Sequence, residues 1–92
     1  PQAAGMTMKI EIVSIAVIRD EEKRANGLRA LASVRLDDAV IVRNCGLVEA
    51  ADGFHASPPL KVRGESPVSW ARGSAFALEL AGTLRRAYEA MT

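Results

Sequence analysis

The chain has 92 residues, of which 49% are hydrophobic and 25% charged, and its formal net charge is +1. This balance excludes an intrinsically disordered chain, which needs low hydrophobicity or a large net charge. The length allows one modest core, so we expect a single domain over residues 8–92 whose stability leans on a partner subunit. Residues 1–7 carry no pattern, and we interpret them as the remnant of an added tag or a frayed terminus.

Cysteine content and hydropathy indicate the compartment. Cys45 is the only cysteine, which excludes an internal disulfide and any metal site built from several cysteines. No uncharged apolar run approaches the roughly 18 residues that cross a bilayer, and no signal-peptide pattern is visible. We therefore expect a reduced, cytoplasmic protein with no membrane partner.

The first strand is predicted over residues 8–19, MKIEIVSIAVIR, because Ile and Val suit a pleated surface. Its alternation changes phase between Ile12 and Val13, which indicates either a β-bulge or burial on both faces of a central strand. Residues 20–27 form a charged connection. It ends on Asn-Gly, a pair that tolerates the positive φ angles of tight turns, so the chain is expected to reverse there.

Strict alternation predicts a second strand over Leu28–Leu36, with the even-numbered residues on its apolar face. A two-residue turn at Asp37 and Asp38 would pair Val34 with Ile41 in a third strand. In that register the third strand contributes Ala39, Ile41, Cys45 and Leu47 to the apolar face, with Arg43 as a misfit.

The opposite face of this hairpin mixes polar and apolar residues, and it is too apolar for a fully solvated surface. A subunit contact is expected to cover it. Its predicted members are Arg29, Leu31, Ser33, Arg35, Val40, Val42, Asn44 and Val48.

Residues 54–57 are predicted to form a fourth strand, which ends at Pro58 and Pro59. Residues 60–68 read as an irregular loop. From about Ser69 the apolar period becomes helical, with Leu78 on the side away from the sheet. The stripe facing the sheet comprises Phe76, Leu80, Leu84, Ala87 and Met91, flanked by Ala77, Ala81 and Tyr88. The predicted fold is α+β: a small antiparallel sheet of about four strands with one C-terminal helix packed on it.

The order of these elements resembles the bacterial stage V sporulation protein G (SpoVG) family. The resemblance extends from residue 8 to about residue 88 and rests on LRALASVRLDDAVIVRN, then ADGFHASPP, then Lys61 and Arg72-Gly73. It implies a compact α+β fold, a dimer built through the sheet, and sequence-preferring binding of DNA or RNA linked to gene regulation and septation. Family members carry a longer, more basic loop after the proline matching Pro59, and then a His-Pro step. Ser66-Pro67 replaces that step here, so binding is expected to be weakened or altered.

Five cations are the candidate nucleic-acid-binding residues, because each can neutralise a phosphate and release condensed counterions. The alternative is ordinary solvated surface charge. Arg72 is additionally expected near the first turn of the helix, where backbone N–H groups attract phosphate. The candidates are Lys61, Arg63, Arg72, Arg85 and Arg86.

Other chemistry-bearing residues favour structural roles. Trp70 either stacks on an unpaired base or, the interpretation we favour, anchors the start of the helix against the sheet edge. His55 is the sole histidine and has no Asp or Cys at ligand spacing, so no metal site is expected. Cys45 falls in a predicted buried strand, where thiols are inert.

The sequence therefore predicts a cytoplasmic, homodimeric DNA- or RNA-binding regulator with no catalytic residues, metal, cofactor or small-molecule substrate. The alternative is a protein-interaction module in septation or development that does not bind nucleic acid directly. It would use the mixed face of the hairpin or a strand edge to recruit its partner.

Overall fold

A computed structural model describes residues 8–59 and 68–92. In this part of the chain four antiparallel strands form one sheet in the order β1-β2-β3-β4, and the C-terminal helix packs on one face. The predicted α+β fold is confirmed. The elements are β1 (Ile10–Val17), α1 (Glu21–Ala25), β2 (Leu28–Leu36), β3 (Val40–Ala50), β4 (Gly53–Ser57) and α2 (Ala75–Met91).

The phase change in β1 is a β-bulge. The pairing with β2 shifts between Ile12 and Ser14, which leaves Val13 45% exposed. Ile12 and Ile15 consequently both pack against the core. β1 lies at the edge of the sheet, so burial on both faces of a central strand is not the explanation. Such a bulge also makes an edge strand a poorer template for pairing with another chain.

The connection before β2 contains one helical turn that the pattern did not predict. Asp20 caps α1, because its carboxylate accepts a hydrogen bond of 3.1 Å from the Lys23 N–H. The expected reversal follows at Gly27, which has φ of 96°. A Cβ there would lie 2.7 Å from the carbonyl oxygen of Glu49, so the turn requires glycine for both its angle and its space.

The predicted register of the β2–β3 hairpin is wrong by one residue. The turn holds three residues, 37–39, and both of its aspartates have positive φ, 52° and 57°. Val34 therefore pairs with Val42 instead of Ile41. Val42 is 5% exposed and belongs to the core, whereas Ile41 is 42% exposed. Ala39, predicted on the apolar face, is an exposed turn residue.

A second bulge restores the phase of β3. The register shifts opposite Arg43 and Asn44, and Asn44 adopts φ of 62°. Cys45 and Leu47 return to the apolar face, both 0% exposed, as predicted. Arg43 is exposed, so the predicted charged misfit on the apolar face does not exist.

A third irregularity moves Leu28 away from the predicted apolar face. The register shifts again between Leu28 and Ala30, and Leu28 pairs with Val48. Its Cδ1 lies 3.1 Å from the position that a Cβ on Gly46 would take, on the side of the sheet away from α2. Leu28 therefore lies on the face that the helix leaves uncovered.

The core lies between the sheet and α2. Ser74 caps this helix, since its hydroxyl accepts a 3.1 Å hydrogen bond from the Ala77 N–H. Leu80 and Leu84 are 0% exposed, whereas Leu78 is 66% exposed on the far side, as predicted. The buried cluster comprises Ala30, Ala32, Val34, Val42, Cys45, Leu47, Leu80 and Leu84. No helix in the described ranges is long and apolar enough to cross a membrane.

Candidate nucleic-acid interface

Three of the five predicted cations can be located. Arg72, Arg85 and Arg86 are all exposed. Lys61 and Arg63 lie outside the described residues. Arg72 precedes α2 by three residues, while Arg85 and Arg86 lie in the second half of that helix.

Arg85 lies against strand β4. Its guanidinium carbon is 4.9 Å from the centroid of the Phe54 ring, a cation–π distance, and its Nε donates a 3.2 Å hydrogen bond to Glu89. An exposed pair at i,i+4 contributes only about 0.3–0.5 kcal/mol. Because this ion pair is weak, Glu89 orients the Arg85 guanidinium and leaves it able to bind a phosphate.

Arg72 lines two grooves that meet at β4. The first, which we call the β4 groove, has a volume of about 290 Å³ and is formed by Val48, Ala50, His55, Ala56, Ser57, Pro58, Trp70 and Arg72. The second, the helix groove, has a volume of about 200 Å³ and is formed by β4 residues 54–56, Arg72, Gly73 and the α2 residues Ala77, Leu78 and Ala81. Since Phe54 belongs to the helix groove and contacts Arg85, the cations at 72 and 85 both border β4.

Arg86 is not part of this arrangement. Its guanidinium lies beside Gly82 and donates a 3.4 Å hydrogen bond to the Thr83 hydroxyl, on a neighbouring face of α2. The fold therefore brings Arg72 and Arg85 to one strand and directs Arg86 elsewhere.

His55 is a site residue that the sequence pattern missed. Its Nε2 is 2.8 Å from Asp52 Oδ1, across the tight turn between β3 and β4. This hydrogen bond is the main reason that the pKa of Asp52 is lowered, and a backbone hydrogen bond and the charges of His55 and Arg72 act in the same direction. The spacing i,i+3 across a hairpin turn was the available signal, because it returns the two side chains to one end of the strand.

Trp70 anchors the segment that leads into α2, in agreement with the favoured interpretation. Its indole N–H donates to the carbonyl of Ala56 at 3.3 Å. Its ring meets Phe76 edge-on, with centroids 5.3 Å apart and an interplanar angle of 77°. The same residue lines the β4 groove, so the anchor also forms a wall of that groove.

Two other predicted structural residues have clear environments. Burial raises the pKa of the Cys45 thiol to about 11, which is the state of an unreactive cysteine. Asp37 accepts a 2.8 Å hydrogen bond from the Lys9 N–H, and Asp38 lies 3.3 Å from the Lys9 ammonium. Both aspartates therefore hold the β2–β3 turn against the start of β1.

The side of the sheet opposite α2, which we call the open face, has an apolar hollow. Leu28, Leu31 and Gly46 border a groove of about 230 Å³ there, together with Lys23, Asn26, Asn44, Ser57 and Pro58. Ile41, 42% exposed, pairs with Arg35 further along the same face. The open face therefore combines aliphatic surface with a groove. Its members differ from those predicted for the mixed face, because Ile41 and Leu28 belong to it and Val42 does not.

Comparison with known proteins does not identify the chain. No protein-family model matches its sequence, and no curated protein sequence matches it.

Proposed function

We propose that this chain is a cytoplasmic, homodimeric nucleic-acid-binding regulator of the kind that the SpoVG resemblance implies, acting on gene expression linked to septation. The observation that supports binding is the pair of exposed guanidinium groups, Arg72 and Arg85, along β4. Lys61 and Arg63 belong to the segment that joins β4 to Arg72, and we include them in the interface on sequence grounds.

Phosphate neutralisation is the proposed source of affinity. Each cation that contacts a phosphate of duplex DNA makes the slope of log K against log salt more negative by about 0.9. Two arginines alone give weak binding. A dimer doubles the set, and the two interfaces then act at a fixed separation, which raises the effective concentration of the second contact.

The proposed dimer contact is the part of the open face on β2 and the first half of β3. Leu31 and Ile41 there offer aliphatic surface that a second copy would remove from water. The β4 end of the same face, with Val48, His55 and Ser57, lines the β4 groove and stays outside this contact. The two sheet edges are less suited to pairing: β1 has its bulge, and on β4 the Ala56 carbonyl already accepts the indole N–H of Trp70.

Binding of labelled single-stranded DNA, duplex DNA and single-stranded RNA, measured by fluorescence anisotropy at low and moderate salt, tests the function. We expect affinity that falls steeply with salt. Arg72→Glu and Arg85→Glu should each weaken binding by about 10-fold or more, because each replaces an attraction with a repulsion. Arg86→Glu is the matched control and should have a smaller effect. Absence of binding to all three probes at low salt would reject the proposal.

A protein-interaction role is the second candidate, and the exposure of Leu78 favours it. This leucine is 66% exposed and lines the helix groove, with Arg72 beside it. An apolar anchor next to a cation fits a partner segment that carries an aliphatic residue and a carboxylate. Leu78→Gln would abolish such recruitment, and it should leave nucleic-acid binding intact because it adds no charge beside Arg72.

A further inference from the structure

The β4 groove has the size of a site for one small planar group. Its volume is about 290 Å³, just below the range of about 300–1,000 Å³ that is typical of small-molecule sites. Most of its wall is apolar, formed by Val48, Ala50, Ala56, Pro58 and Trp70. Arg72 supplies a cation at its border.

The polar groups of the groove are largely engaged by the protein itself. The Trp70 N–H binds the Ala56 carbonyl, the Ser57 hydroxyl donates to the Pro58 carbonyl at 3.3 Å, and His55 Nε2 binds Asp52. What remains for a ligand is aromatic and aliphatic surface and the Arg72 guanidinium. These features suit a flat ring that carries a negative charge beside it.

We propose that the β4 groove holds one unpaired base of a single-stranded nucleic acid, which contacts Trp70 while its adjoining phosphate binds Arg72. This inference rests on the proposed nucleic-acid-binding function and specifies its ligand. A base within a duplex is stacked and paired, so it cannot enter the groove without being extruded at a cost of a few kcal/mol. A base in a single strand is free to enter.

Two contacts hold the indole before any ligand arrives. The hydrogen bond to Ala56 and the edge-on contact with Phe76 fix the ring, so little side-chain entropy is lost when a base stacks on it. Base stacking tolerates any sequence, because every base has a π face. The groove therefore supplies preference for single strands, and it does not by itself read a sequence.

The chain contains one tryptophan, so its intrinsic fluorescence reports on this groove directly. The test titrates the protein with a short oligothymidylate, with an abasic oligomer of the same length, and with a duplex. Oligothymidylate should quench Trp70 fluorescence to saturation. The abasic oligomer should bind roughly 5- to 100-fold more weakly and without quenching, because it keeps the phosphates and lacks the rings.

A matched pair of substitutions separates the groove from the surrounding charge. Ala50 lines the groove and is exposed, whereas its neighbour Ala51 is exposed in the turn and does not line it. Ala50→Phe should weaken oligothymidylate binding by at least about 5-fold and leave binding of the abasic oligomer unchanged. Ala51→Phe should match the unsubstituted chain. Arg72→Gln should weaken binding of both oligothymidylate and the abasic oligomer.

The outcomes distinguish this inference from the proposed function. If oligothymidylate and the abasic oligomer bind equally, or if Ala50→Phe and Ala51→Phe behave alike, the groove does not hold a base, while nucleic-acid binding stands. If anisotropy detects no nucleic acid bound at low salt, both proposals fail together.

Discussion

The covered face and the open face of the sheet differ in how they use aliphatic residues that are adjacent in sequence. On β3, Val42 is 5% exposed beneath the helix, whereas Ile41 is 42% exposed on the opposite side. Both residue types suit a core. What separates them is the three-residue turn at 37–39, since moving a register by one residue exchanges the two faces of a strand. Turn length therefore decides which side chains stabilise the monomer and which remain available to a partner.

Removing a side chain from the covered face should have the largest effect. Leu80 is 0% exposed and packs among the buried residues of β2 and β3. Leu80→Ala should lower the free energy of unfolding by about 2–5 kcal/mol, because it removes buried methyl groups and leaves a cavity. Urea denaturation measures the change. Leu78→Ala, at the 66%-exposed position of the same helix, is the control and should change stability by less than about 1 kcal/mol. Equal losses would mean that α2 does not pack as described.

The turn at Gly27, directly before β2, is expected to be the next most sensitive to substitution. Gly27→Ala places a Cβ 2.7 Å from the Glu49 carbonyl oxygen at a φ of 96°. We expect a loss of about 1–3 kcal/mol in the free energy of unfolding from the combined strain and clash. Gly73→Ala separates the two causes, because Gly73 has φ of 82° and nothing within 4 Å of an added Cβ. A loss at Gly73 as large as that at Gly27 would assign the effect to the backbone angle alone.

Substitutions on the open face should weaken dimer association and leave the stability of the monomer nearly unchanged. Ile41→Lys adds a charge to the proposed dimer contact, so sedimentation equilibrium should show a dissociation constant at least about 10-fold higher. Because Ile41 is already 42% exposed, the urea midpoint of the monomer should change little. Leu78→Lys, on the helix, should leave the dimer intact. If the dimer persists in Ile41→Lys and dissociates in Leu78→Lys, the dimer contact lies at the helix groove and not on the sheet.

The four strands and α2 were predictable from the sequence because they depend on local pattern, whereas the short helix α1 was not predicted. Alternation predicted β2 and β3, the Ile and Val content predicted β1, and the short run between Gly53 and Pro58 predicted β4. The 3.6-residue period placed Leu80 and Leu84 on the face that is buried. Register did not follow, because it depends on turn geometry and bulges. Asn44 at φ of 62° and the shift beside Leu28 have no periodic signature.

The candidate site was predictable only in part, for a related reason. Composition identifies cations, but only the fold shows that Arg72 and Arg85 both border β4 while Arg86 does not. His55 was set aside because no metal-ligand spacing surrounds it. Its partner Asp52 reaches it through the hairpin, a contact that spacing rules for metal ligands do not describe.

The weakest expected effect concerns that pair, and its direction follows from the pKa of Asp52. Because the folded chain lowers this pKa below 3.8, chiefly through the hydrogen bond with His55, folding favours the ionised carboxylate. Its contribution to stability is present above about pH 4 and is lost as the pH falls through the folded pKa. Asp52→Asn should therefore be less stable than the unsubstituted chain near pH 6, and the two should converge as the pH falls through the lowered pKa of Asp52. Urea midpoints measured across that range give the comparison. Curves that stay parallel down to the lowest pH would show that the carboxylate charge contributes nothing.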